Sequence, residues 1–141
     1  MAKNIPINER IIFALDVDSK DEAERWLDRL GDRVNFYKVG LQLFLAGGFP
    51  VIEMILARNH KAMVDLKFFD IPETVGLAVR ELKSRGATFI TVHGNDPILR
   101  AAVQERNGSK ILAVTVLTSF DESDMRAMGL TQSIEELVYH R

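Results

Sequence analysis

Five short runs rich in β-branched and aromatic residues recur along this chain at roughly 25-residue intervals: IIFALDV (11–17), VNFYKVG (34–40), AMVDLK (62–67), TFITVHG (88–94) and KILAVTVL (110–117). Their near-continuous apolar character, without clean alternation, suits strands of a sheet that is covered on both faces or closed on itself. Such strands are parallel, and parallel neighbours need crossover connections, which helices supply in a right-handed sense.

Helical patterns fill the intervals. In residues 20–30, Ala23, Trp26, Leu27 and Leu30 fall on one face, Ser19 and Glu22 are spaced as a capping box, and Gly31 stands where the helix should stop. A second helical segment, residues 41–58, is divided by Gly47-Gly48 and Pro50 into a turn and a helix with Val51, Ile52, Ile55 and Leu56 as its apolar face. A third opens at Pro72, buries Val75, Val79 and Leu82, and stops by Gly86; a fourth follows Asp96-Pro97 and carries Leu99, Ala102 and Val103. Two architectures accommodate this alternation, a doubly wound sheet and a (β/α)₈ barrel. Charged residues at or near the C-terminal ends of the first three strands favour the barrel, which gathers its site there.

An eight-stranded barrel typically takes about 250 residues, whereas this chain has 141 and five strand-like runs. Residues 133–141 begin with another capping box, Ser133 and Glu136, and resemble a helix cut short. The expected fold is therefore α/β, of the (β/α)₈ TIM-barrel type, truncated to about its first five βα units, with residues 1–141 forming the N-terminal part of a single domain. No linker-like or low-complexity stretch divides it.

Composition narrows the function classes. Eighteen Lys and Arg against twenty Asp and Glu leave a net charge of −2, which offers no basic surface for a nucleic acid backbone. No apolar run approaches the ~20 residues that span a bilayer, and MAKNIPINER lacks the apolar core of a signal peptide. A cytoplasmic protein is expected. The absence of cysteine removes disulfides and thiolate metal sites.

Chemistry concentrates in the third strand. Asp65 and Lys67 are two residues apart and project to one face of an extended chain. In a barrel that face is the lumen, where a carboxylate and an ammonium are costly unless paired. Asp70 follows in the turn before Pro72, giving a D-x-K-x-x-D-I-P run. Asp16 and Lys38 interrupt the apolar runs of the first two strands, so Asp16, Lys38, Asp65 and Lys67 can form a row of alternating charge that needs no metal for neutrality. Blander readings stand beside these. Asp65 and Lys67 could be a structural ion pair, Asp70 a turn or helix cap, Asp16 a loop cap, and Lys38 a side chain snorkelling to solvent. His93, ending the fourth strand, is read as a hydrogen-bonded structural histidine, and Trp26 as core.

The ordered segments ALDV, FYKVG, VDLKFFDIPETV, TVHG and VTVLTS resemble those of orotidine 5′-phosphate decarboxylases over nearly the whole chain, the D-x-K-x-x-D-I-P-x-T run most specifically. The resemblance implies a cofactor-free and metal-free conversion of orotidine 5′-phosphate to uridine 5′-phosphate. Lys67 would deliver the proton to C6, and Asp65 would lie against the departing carboxylate. Asp16 and Lys38 would hold the ribose hydroxyls and orient that pair. It also implies a homodimer with shared sites, in which Asp70, Ile71 and Thr74 complete the neighbouring subunit's site. Thr118 would contact the pyrimidine, although a loop-capping hydroxyl is an equal reading. The family's later Gln, phosphate-binding Arg and backbone amides after strands seven and eight would lie beyond Arg141. Two rivals follow: a Mg²⁺-dependent sugar-phosphate lyase or decarboxylase of the same superfamily, which typically has an acidic residue where this chain has Lys38, and a non-catalytic barrel fragment.

Overall fold

Local capping decides where the chain first becomes helical. Ser19 adopts an extended backbone and its side chain accepts the Glu22 N–H at 3.3 Å, opening α1 (Lys20–Leu30). The reciprocal bond of a full capping box is not formed, so Ser19 works as a simple N-cap. Gly31, at φ 52°, closes the helix by donating its N–H to the Leu27 carbonyl. The computed structural model describes residues 4–141.

The strands are β1 (Phe13–Ala14), β2 (Phe36–Gly40), β3 (Lys61–Phe68), β4 (Phe89–His93) and β5 (Lys110–Val114), all parallel and ordered β1-β2-β3-β4-β5. This order decides between the two candidate architectures. A doubly wound sheet reverses its strand order at a switch point, whereas sequential neighbours joined by right-handed crossovers carry their helices on one face, as in a (β/α) barrel. Alternation along the strands agrees. Tyr37, Val39, Ala62, Val64, Ile90 and Val92 are fully buried in the main apolar core, while Lys38, Asp65, Thr91 and His93 occupy positions of the other parity on β2, β3 and β4.

Helices α2 (Leu41–Gly47), α3 (Phe49–Ala57), α4 (Pro72–Ser84) and α5 (Asp96–Glu105) follow the second, third and fourth strands. The segment expected as a turn and a helix is two helices: Gly48, at φ 57°, donates to the Phe44 carbonyl at 2.7 Å, and Pro50 lies in the first turn of α3. Val51, Ile52 and Ile55 are fully buried, with Leu56 packed at the margin of the core. In α4, Val75, Val79 and Leu82 are buried as expected. In α5 the buried face is rotated from the expected one. Ile98 and Ala102 are covered, Leu99 lies at the margin, and Val103 is 48% exposed.

The outer strands are shorter than their sequences suggest. β1 holds two residues, both paired with β2, and Ile11 and Ile12 before it are exposed. β5 ends at Val114 rather than at residue 117. Two short helices follow, α6 (Glu122–Ala127) and α7 (Ile134–His140). The expected Ser133–Glu136 capping box opens α7. α6 was not foreseen, because its box uses Asp121 and Asp124 in place of the Ser/Thr and Glu/Gln pattern.

Two predictions follow from this packing. Ile90→Ala removes a fully buried side chain from a strand paired on both sides and should cost about 2–5 kcal/mol. Val103→Ala, on an exposed helical face, should stay within about 0.5 kcal/mol; urea unfolding midpoints compare the two directly. The second concerns pH. His60 is buried beside Tyr37, with ring centroids 5.3 Å apart, and burial holds its pKa below 6.5, Arg58 adding to the effect and Asp32 opposing it. Because the folded value is depressed, the unfolded chain binds more protons as pH falls below 6.5. The associated stability is complete above that value and is lost as pH falls through the folded pKa. Unfolding midpoints should decline over this range, and His60→Gln should flatten that part of the decline.

Candidate active site

Where the strands end, their polar side chains converge. Asp16 follows β1, Lys38 lies on β2, and Asp65 and Lys67 lie on β3. Lys38 Nζ stands 3.0 Å from Asp16 Oδ1 and 3.8 Å from Asp65 Oδ2, and Lys67 Nζ donates to both Asp65 oxygens at 2.9 Å. The expected alternating row is thus present in the order Asp16, Lys38, Asp65, Lys67. Its innermost member is Asp65, whose side chain is 11% exposed, against 69% for Asp16. A carboxylate so covered needs compensation, and it has two ammonium groups and a hydroxyl, Thr91 Oγ1 donating to Oδ1 at 2.9 Å.

The pairing of Asp65 with Lys67 does not come from a regular strand, as the spacing alone suggested. On β3, Val64 pairs with Ile90 and Phe68 with Val92, so three residues of β3 face the single residue Thr91 of β4. This is a bulge. Within it Lys67 takes φ 49°, a left-handed conformation that costs a non-glycine residue about 1–2 kcal/mol. The Lys67 N–H donates to Thr91 Oγ1 at 2.9 Å. Strain of this kind persists where neighbouring contacts hold it, and it concentrates at functional sites.

A cleft of about 380 Å³ opens over the row, lined by Leu15, Asp16, Lys38, Asp65, Lys67 and His93 among others. Gln42 and Leu117 also line it, neither of them singled out from the sequence. His93 packs its ring 4.8 Å from Phe69. Its pKa is lowered by burial first and then by the positive charges of Arg141 and Lys67, which favours a neutral imidazole at the cleft wall.

The remaining candidates lie elsewhere. Asp70 is exposed in the turn between β3 and α4, where its Oδ1 accepts the Ile71 N–H at 2.6 Å. Ile71 is 64% exposed, and Thr74 is exposed in the first turn of α4. None of the three lines the cleft. Thr118 is exposed in the turn after β5. The expectation placed it at the end of that strand, but the strand stops at Val114 and Leu117 faces the cleft instead. Thr91 is the residue that reading for charge overlooked. Its signal was parity, since Thr91 shares a face with His93 on the same strand.

A sequentially ordered parallel sheet, with helices on one face and charged side chains gathered where the strands end, defines the (β/α)-barrel class of site. Comparison with known proteins narrows this. The family described as orotidine 5′-phosphate decarboxylase / HUMPS matches residues 9–141. An orotidine 5′-phosphate decarboxylase of Methylococcus capsulatus is 51% identical over 140 residues, or 99% of this chain and 58% of that protein. One from Rhodopseudomonas palustris is 48% identical, covering 94% of this chain and 57% of its own length. Among solved structures, orotidine 5′-phosphate decarboxylase from Lactobacillus acidophilus superposes with a TM-score of 0.86 at 34% identity, over 92% of this chain and 63% of that one. This chain belongs to the orotidine 5′-phosphate decarboxylase / HUMPS family. It spans under three fifths of the length of these curated relatives.

The row's coupling through Asp65 is open to test. Asp16→Ala breaks a pair whose acid is 69% exposed and should change stability by no more than about 1 kcal/mol. Asp65→Ala leaves two ammonium groups facing each other across the gap and should destabilise the chain by more. A change no larger than that of Asp16→Ala would show that Asp65 does not hold the row together.

Proposed function

We propose that the protein to which this chain belongs decarboxylates orotidine 5′-phosphate to uridine 5′-phosphate, a step of pyrimidine biosynthesis, without metal or cofactor. The observation that carries this reading is the position of Lys67. Its ammonium borders the cleft and is held by a covered carboxylate on a strained backbone, as a preorganised electrostatic catalyst requires.

With substrate bound, the pyrimidine carboxylate lies against Asp65, and the C6 carbon lies against Lys67. The bond from C6 to the carboxyl carbon breaks, its electron pair stays at C6, and CO₂ leaves. The Lys67 ammonium stabilises that developing charge and then gives C6 its proton, to be reprotonated from solvent. Lys38 and Asp16 hold the ribose hydroxyls, and Lys38 also keeps Asp65 oriented. Thr118 follows the cleft-lining Leu117 in the turn after β5, a position that supports contact between its hydroxyl and the bound pyrimidine. The phosphate is held by groups in the portion of the relatives that this chain does not span, and its binding energy offsets the crowding of like charges near Asp65.

Asp70, Ile71 and Thr74 serve a second copy of the protein. Their exposure and their absence from the lining of their own cleft support this, as does the exposed apolar pair Phe69 and Ile71 beside Asp70. The assembly is a homodimer with shared sites, each barrel forming one domain. Its soluble nucleotide substrate suits a cytoplasmic enzyme. Among the described residues no helix is long and apolar enough to cross a membrane.

A Mg²⁺-dependent sugar-phosphate reaction, the other branch of the superfamily, would put a cation among the carboxylates. Lys38 already brings an ammonium to within 3.0 Å of Asp16 and 3.8 Å of Asp65, where such a cation would sit. The 141-residue chain alone is expected to be inactive, because its phosphate-gripping groups lie in the unmatched part of its relatives.

The test follows the loss of orotidine 5′-phosphate absorbance in EDTA, with this chain alone and with the chain completed by the missing portion of the Methylococcus relative. The completed protein should turn over in EDTA, and Lys67→Ala should lower its rate by at least about 10²–10⁴-fold. Turnover that appears only on adding Mg²⁺ would favour the metal-dependent branch. No turnover from a folded, completed protein, with or without Mg²⁺, would favour a non-catalytic role for this chain.

A further inference from the structure

We propose that Thr91 is a positioning residue for the reaction, an inference that rests on the reading of Lys67 as proton donor. Thr91 is 4% exposed and sits on β4 opposite the three-residue excursion of β3 that contains Asp65, Leu66 and Lys67. A threonine hydroxyl has one hydrogen to give and lone pairs to receive. Here the hydrogen goes to Asp65 Oδ1 and a lone pair takes the Lys67 backbone N–H, both at 2.9 Å. Lys67 Nζ then returns to Asp65. The result is a closed ring of hydrogen bonds in which one hydroxyl sets the carboxylate's rotation and anchors the backbone from which the ammonium projects.

That double role explains why the bulge can hold Lys67 at φ 49°. The irregular register deprives the Lys67 N–H of a ladder partner, and a buried donor without a partner is unfavourable. Thr91 supplies the acceptor from the strand that would otherwise have offered a carbonyl. It does not line the cleft, and its contacts are with Asp65 and Lys67, so its effect passes through them. Valine has the same shape but neither donates nor accepts, whereas serine keeps the hydroxyl.

The experiment compares Thr91→Val and Thr91→Ser in the full-length gene product by steady-state decarboxylation and by amide hydrogen exchange at Lys67. Thr91→Val should lower kcat by about 10- to 100-fold with KM within twofold. It should also speed exchange of the Lys67 amide by at least about fivefold. Thr91→Ser should recover most of both. Unchanged exchange at Lys67 in Thr91→Val overturns the proposal, as does a kcat within twofold of the unmodified protein. A loss that Thr91→Ser fails to recover also overturns it, since packing would then be the cause. Exchange needs no turnover, so if the unmodified protein does not decarboxylate the nucleotide, the proposed function fails while the anchoring of Lys67 is still decided by exchange.

Discussion

The Asp65 carboxylate, 11% exposed, organises the polar end of this sheet. It receives both contacts from Lys67 Nζ, a hydrogen bond from Thr91 and the nearby charge of Lys38. Remove it and the two lysines repel, the bulge loses one of its ties, and the left-handed backbone of Lys67 has less to hold it. Buried ion pairs are seldom efficient at stabilising a fold. Here only the carboxylate is covered, Lys67 being 41% exposed, and a partly covered charge row beside a strained residue is the arrangement on which the proposed function draws.

The fold makes that arrangement possible by keeping its apolar and polar demands apart. Sequential parallel strands carry their helices on one face, where Tyr37, Val39, Val64, Ile90 and Val92 are fully buried. The alternate residues of the same strands are then free to carry charge. Because parallel strands all point one way, Asp16, Lys38, Asp65 and Lys67 arrive at one end together, although they are spread over more than fifty residues of sequence.

Much of this was legible beforehand. Strand positions and the faces of α1 and α4 follow from hydrophobic periodicity, and the charged row stood out because each member interrupts an apolar run. Less was legible where local sequence carries no mark of the competing force. Nothing in a lysine announces φ 49°, since the bulge arises from register between two strands and not from a glycine. Thr91 looked like an ordinary β-branched strand residue until the register placed it against the bulge. Nothing in the run IIFALDV marks that β1 pairs over only two residues, and the apolar run KILAVTVL continues beyond the hydrogen-bonded strand, which puts Thr118 outside it. α6 escaped notice because Asp124 takes the place of Glu or Gln in its capping box.

Whether Lys67 faces the reacting carbon, as proposed, is decided most directly by a structure of the completed protein with uridine 5′-phosphate bound. The pyrimidine should lie in the cleft with C6 about 3–3.5 Å from Lys67 Nζ, the separation of groups poised to react, and Asp65 should lie beside the position vacated by the carboxylate. A nucleotide seated with C6 turned away from Lys67, or held outside the cleft that Asp16, Lys38 and Asp65 line, would contradict the proposal.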